Sequence, residues 1–175
     1  MPIYSDILKT WKKDSNTMVE TGSYIGDGIA KGLEAGFEKI FSFEIIPENY
    51  NICVERFKDN PEVSCILGDS VKLLPEVLAN IKERIVFWLD SHFIGETEAD
   101  LYPIMNELKI IKDHFIKNHT ILIDDVRLFA DGKDPAMPIS IAEVTDFILT
   151  INPDYKYVYE KGFIDNDILI AYVDP

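Results

Sequence analysis

Val19-Glu20-Thr21-Gly22-Ser23-Tyr24-Ile25-Gly26-Asp27-Gly28 is an apolar run that turns into an acidic, glycine-punctuated segment. Ile29, Leu33 and Phe37 follow at helical spacing, and a second apolar run, Lys39–Glu44, again ends in a carboxylate. Strand, glycine turn, helix and strand in that order form the unit of a parallel sheet. The alternation continues outward from it. Residues 3–13 read as a helix with Ile7, Leu8 and Trp11 on one face. Pro47 opens a further helix, where its missing N–H costs nothing, and Tyr50, Cys53, Val54 and Phe57 carry that helix. Val63–Leu67 is a third strand closed by Gly68-Asp69-Ser70, followed by a helix over 73–81.

Ile85–Leu89 is apolar on both faces, as a central parallel strand must be, and runs into Asp90-Ser91-His92. Thr97 to Asp100 predicts a capping box ahead of a helix marked by Leu101, Ile104, Met105, Leu108 and Ile111. Thr120–Ile123 is a fifth strand, ending in Asp124-Asp125. Ser140 and Glu143 form a second capping box, and runs at 155–159 and 168–173 predict an antiparallel pair. The expected fold is a doubly wound α/β sheet. The whole chain, 1–175, reads as one domain: an N-terminal helix (1–16), a ligand-bearing part (17–130), then a lid loop, helix and strand pair (131–175).

Composition narrows the function. The 175 residues are 47% hydrophobic, enough for a substantial core, yet no apolar run approaches the ~18–20 residues of a membrane span. No basic-then-apolar leader stands at the N-terminus, and Cys53 and Cys65 have neither metal nor redox spacing. A cytoplasmic protein with buried, reduced thiols is expected. The formal net charge of −14 disfavours nucleic acid and anionic membranes as partners and suits a cationic cofactor or a divalent metal.

In a doubly wound sheet the ligand crevice lies beyond the carboxyl ends of the strands. A dinucleotide turn reads G-x-G-x-x-G; here Gly22, Gly26 and Gly28 are spaced differently, and Glu20 would be a poor neighbour for pyrophosphate. A carboxylate there suits a ligand bearing an ammonium and a sulfonium. Glu44 can accept both ribose hydroxyl protons, and Asp69-Ser70 stands where an adenine amino group is read. The spacing therefore favours S-adenosylmethionine over a nicotinamide cofactor. The expected cofactor residues are Glu20, Gly22, Ser23, Tyr24, Gly26, Glu44, Ile45, Asp69, Ser70 and Asp90.

With these residues the chain resembles the class I adenosylmethionine-dependent methyltransferases. It is most similar to the cation-dependent small-molecule O-methyltransferases. Residues 19–26 resemble the first motif of the catechol O-methyltransferase group, and Phe43-Glu44-Ile45-Ile46-Pro47-Glu48-Asn49-Tyr50 resembles the second. The resemblance covers residues 17–130 and implies strand order 3-2-1-4-5-7-6 with the last strand antiparallel. It also implies a metal on Asp90, Asp124 and Asp125, since the family carries an Asp after strand four and an Asp-Asp or Asp-Asn pair after strand five.

The residues themselves support this reading. Three carboxylates at adjacent strand ends repel one another unless a cation joins them, and oxygen donors suit Mg²⁺, Mn²⁺ or Ca²⁺. Otherwise such acids cap helices or face solvent. His92 and Asp90 are the candidate catalytic residues. His92 is a candidate base for a hydroxyl proton, and also a candidate metal ligand, substrate donor or structural histidine. The catechol-type enzymes place a lysine where this chain has Phe93. His114 and His119 read as structural. Trp11, Tyr24, Trp88, Phe93, Tyr102 and Phe129 are aromatics near the site or its rim, with Trp88 read as core, and the loop 128–138 reads as a lid. A small hydroxylated acceptor such as a sugar or phenol is expected, in a site that is open or completed by a second subunit of a homo-oligomer. An inactive cofactor-binding module and a nicotinamide oxidoreductase are the alternatives.

Overall fold

A computed structural model describes residues 3–91, 102–129 and 138–174. Its strands are β1 (Thr17–Thr21), β2 (Lys39–Glu44), β3 (Val63–Leu67), β4 (Ile85–Leu89), β5 (Thr120–Ile123), β6 (Lys156–Glu160) and β7 (Ile168–Tyr172). They form one seven-stranded sheet in the order 3-2-1-4-5-7-6. The first five strands are parallel, and β7 runs antiparallel to both β5 and β6. This is the expected architecture.

Helices α1 (Ser5–Lys12), α2 (Asp27–Glu34), α3 (Pro47–Arg56), α4 (Ser70–Ala79), α5 (Ile104–Asp113) and α6 (Ile141–Leu149) flank the sheet, and Val126–Phe129 is a 3₁₀ turn. Alternate residues of each strand feed two cores. Val19, Phe87, Leu89 and Ile123 meet Leu74, Leu108 and Ile148 on one face. Met18, Val86, Trp88 and Leu122 meet Leu8, Ile29 and Cys53 on the other. No helix of the described residues is long and apolar enough to cross a membrane.

Several local expectations change. Helix α2 stops at Glu34, because Gly36 turns the chain with φ +80°, and Phe37 enters the core from the following loop. Helix α4 starts at Ser70 rather than 73, since Asp69 caps it by accepting from the Val71 amide, and Pro75 sits inside it. Helix α5 begins after Pro103, and the Thr97 capping box lies outside the described residues. The Ser140–Glu143 capping box is present in both directions. Cys53 and Cys65 are free, but only Cys53 is fully buried; burial pushes its thiol up to about 12.

Register positions the site. Thr21 pairs with Phe43 and with Leu89, Leu89 with Ile123, and Leu67 with Glu44. The residues at or just past these carboxyl ends, Glu44, Gly22, Asp90 and Asp124, therefore stand in one row along the edge of the sheet.

Candidate active site

The row is held by backbone bonds that extend the ladder past the strands. Gly22 and Ser23 amides both donate to the Phe43 carbonyl (2.9 and 3.0 Å), Asp90 donates to Thr21 (3.0 Å), and Asp124 to Leu89 (3.2 Å). Gly22 has φ +88°, and a Cβ there would lie 2.3 Å from the Asp90 carbonyl oxygen. The glycine is thus needed for the chain's own close approach between the β1 and β4 turns. Gly26 N-caps α2 and rests on the Phe57 ring. Internal packing, rather than contact with a ligand, accounts for both.

Glu44 closes the turn from the next strand. Its Oε2 accepts from the Tyr24 amide (2.7 Å) and its Oε1 from the Ile46 amide (2.8 Å), leaving lone pairs on each oxygen. Tyr24 is held at φ 49° with an exposed side chain, and Ile45 is half-buried beside it. Ser23 is buried: its hydroxyl meets Ser42 and donates to the Phe43 carbonyl.

Glu20 lies deeper than the turn sequence implies. It is 1% exposed, accepts from the Ser42 hydroxyl, and fills the space where Gly28 lacks a side chain. A Cβ on Gly28 would sit 1.7 Å from Glu20 Oε1. Burial, helped by the charges of Glu44 and Asp27, pushes the carboxyl up to about 8. Asp69 is spent as the α4 cap and pairs with Lys72 at 3.3 Å, while the Ser70 hydroxyl turns inward to Glu107. The structure therefore brings Gly22, Ser23, Tyr24, Glu44 and Asp90 together at the crevice and leaves Glu20 beneath it.

The acidic trio is assembled. Ligand-capable oxygens of Asp90, Asp124 and Asp125 all lie within 4.8 Å of one another. Asp124 is 3% exposed, and burial with the Asp125 charge pushes it up to about 6. Asp125 adopts φ 57°, a left-handed conformation that costs a non-glycine residue energy. Hard oxygen donors in this number suit a divalent cation with water completing its shell. The Arg127 guanidinium bridges Asp125 and the fully buried Asp167, and lies 5.0 Å over the Phe163 ring.

Sequence reasoning missed Arg127, Asp167 and Glu107. Arg127 follows the acidic pair by two residues, a usable signal, but Asp167 is brought to it from the distant β6–β7 turn. Among the aromatics, Trp88 and Phe129 are buried. Trp11 is taken up by the core, its ring 4.8 Å from that of Tyr172 and its Nε1 donating to Glu160 (3.1 Å), so it is not a pocket wall. His92, Phe93 and most of the predicted lid lie outside the described residues.

Comparison with known proteins sets this geometry in context. The chain superposes on the O-methyltransferase TomG from Streptomyces achromogenes, solved with SAM, with TM-score 0.70 and 14% identity, covering 98% of this chain and 78% of that one. An O-methyltransferase from Bacillus cereus, solved with SAH, matches with TM-score 0.68 and 12% identity over 97% and 80%. CalS10 from Micromonospora echinaspora, an amino pentose methyltransferase bound to SAM, matches at 0.59 and 10% over 97% and 88%. These likenesses show the fold, a seven-stranded Rossmann-like sheet shared with those methyltransferases. No protein-family model matches the chain. In sequence, 84 residues are 29% identical to the hemoglobin-haptoglobin-binding protein A of Haemophilus influenzae, a stretch covering 48% of this chain and 8% of that protein.

Proposed function

We propose that this protein is an S-adenosylmethionine-dependent methyltransferase that methylates an oxygen of a small hydroxylated metabolite, with a divalent cation on Asp90, Asp124 and Asp125. The observation that carries the reading is the single row of Glu44, the Gly22 turn, Asp90 and Asp124 across the carboxyl edge of a sheet with this strand order. Glu44, with each oxygen anchored by one backbone amide, keeps lone pairs that would accept ribose hydroxyls. The Gly22–Gly26 turn and Asp90 flank the space between β1 and β4 where the methyl group would lie.

Bound cofactor supplies an electrophilic methyl on a sulfonium, and a bound divalent cation lowers the pKa of an acceptor hydroxyl. The chain's own part is positioning and charge. His92, two residues past Asp90, is assigned to take the hydroxyl proton. Glu44 and the Gly22–Gly26 turn are the residues that would hold adenosylmethionine, which would give its methyl group to the acceptor oxygen and leave as adenosylhomocysteine. With a net charge of −14, a small molecule fits as acceptor and nucleic acid does not.

A panel of sugars, phenols and other hydroxylated metabolites, assayed for adenosylhomocysteine release with and without chelator, tests this reading. Turnover that chelator and Asp124→Ala both abolish is expected. Turnover untouched by Asp124→Ala and His92→Ala contradicts the scheme.

One observation favours a second reading, a cofactor-binding module without metal-assisted turnover. Arg127 already supplies a cation to Asp125. Cofactor binding without metal binding in the wild type, with metal binding gained in Arg127→Gln, would establish that reading.

A further inference from the structure

Glu107 reaches from α5 into the core and is fully buried. Its Oε1 accepts from the Ser70 hydroxyl (2.6 Å) and from the Ser91 hydroxyl (2.8 Å). Ser70 opens α4 directly after the β3 turn, and Ser91 directly follows Asp90. One carboxylate from one helix thus ties together the loops beyond β3 and β4.

The other oxygen faces the end of β1. Glu107 Oε2 and the buried Thr21 hydroxyl have no other partner among the described residues, and the two side chains lie close enough for the hydroxyl to favour the charged carboxylate, although burial holds that carboxyl above its ordinary range. Glu107, Ser91 and Asp124 also line one small cavity with Leu89 and Ile123, so Glu107 and one member of the acidic trio border the same space.

We propose that Glu107 is a positioning residue for the cofactor pocket, holding the loops after β3 and β4 at a fixed separation through Ser70 and Ser91. The inference rests on the reading that these loops bind adenosylmethionine. Glu107 touches neither the cofactor nor the reacting atoms; it acts through the two serines.

Calorimetric titration with adenosylhomocysteine, paired with thermal melting, tests it on wild type, Glu107→Leu, Glu107→Gln and the Ser70→Ala/Ser91→Ala double variant. Glu107→Leu strands the Ser70 and Ser91 hydroxyls and is expected to melt lower than wild type and, at a temperature where it is fully folded, to bind at least about ten-fold more weakly, as lost support behind a site does. Glu107→Gln keeps an acceptor oxygen for both serines and is expected to bind within about three-fold of wild type. The double serine variant is expected to follow Glu107→Leu. Binding by Glu107→Leu as tight as wild type would overturn the inference while leaving the cofactor reading intact. So would equal losses of affinity and melting temperature in Glu107→Leu and Glu107→Gln, the mark of a merely structural residue. Failure of the wild type itself to bind would overturn the cofactor reading and this inference with it.

Discussion

The two edges of the sheet are built on opposite terms. At the amino edge every buried side-chain polar atom of the described residues has a partner. The Ile85 amide donates to His119 Nδ1 (3.1 Å), so the His119 proton sits on Nε2 and is given to His114 Nδ1 (2.9 Å). His114 Nε2–H then reaches the Ile81 carbonyl (2.9 Å). Nearby, the Tyr155 hydroxyl donates to the His119 carbonyl (2.9 Å) and Ser15 to the Arg84 carbonyl (2.7 Å). At the carboxyl edge, three acids are buried and held above their ordinary range, and Tyr24 and Asp125 are left-handed. The first edge stabilises the fold. The second gathers buried acids and left-handed backbone, which cost energy.

Substitutions should separate the edges, the largest effect coming at the working one. Asp124→Asn is expected to lower kcat/KM for an identified acceptor on the order of 10³-fold, about 4 kcal/mol. The same change should leave the melting temperature unchanged or higher, because it ends the repulsion with Asp125. His119→Ala should do the reverse. It strands the Ile85 amide and His114 and opens a hole beside Phe87, so urea titration should show a loss of about 3 kcal/mol with cofactor affinity intact. A fall in cofactor affinity without a fall in stability would break the comparison.

The edges also pull stability in opposite directions with pH. The folded value of Glu20, about 8, lies above its ordinary 4.5. The folded state therefore keeps a proton that the unfolded chain has released, and this contribution is full below pH 4.5 and lost as pH rises through 8. The folded value of His119, about 3, lies below its ordinary 6.5. Its contribution is full above 6.5 and lost as pH falls toward 3, because the unfolded chain takes up the proton. Across the overlap the two slopes oppose each other. From pH 6.5 to 8 the Glu20 slope stands without opposition from His119 and should cost about 2 kcal/mol, which Glu20→Gln removes from the denaturation profile. The smallest effect belongs to neither edge. Ser140→Ala breaks the α6 capping box and should cost about 1 kcal/mol with no change in cofactor binding.

Much of this was legible in the sequence, for local reasons. Strands β1 to β5 carry apolar runs bounded by polar residues, and each ends near a carboxylate or glycine, so period and punctuation agree. The row of Glu44, Gly22, Asp90 and Asp124 follows once the strands are parallel and in register. The helix ends were less legible, because Gly36 and Asp69 set them through backbone conformation and capping. The supports of the site were less legible. Glu107 falls at helical spacing among Ile104, Leu108 and Ile111, a usable signal of a buried acid, but only tertiary packing brings Ser70 and Ser91 to it. Asp167 likewise reads as a turn residue until Arg127 folds onto it. Glu20 was read as lining the crevice from its place in the turn. Its burial depends on Gly28 leaving room beneath α2, a contact that spacing alone does not show.

The central claim is that the carboxyl edge is a cofactor site, and calorimetric titration of adenosylhomocysteine in the presence of Mg²⁺ tests it most directly. The account predicts micromolar binding by the wild type and by His119→Gln, and loss of that binding in Glu44→Ala. No binding by the wild type at millimolar ligand, or binding that Glu44→Ala leaves unchanged, would contradict it.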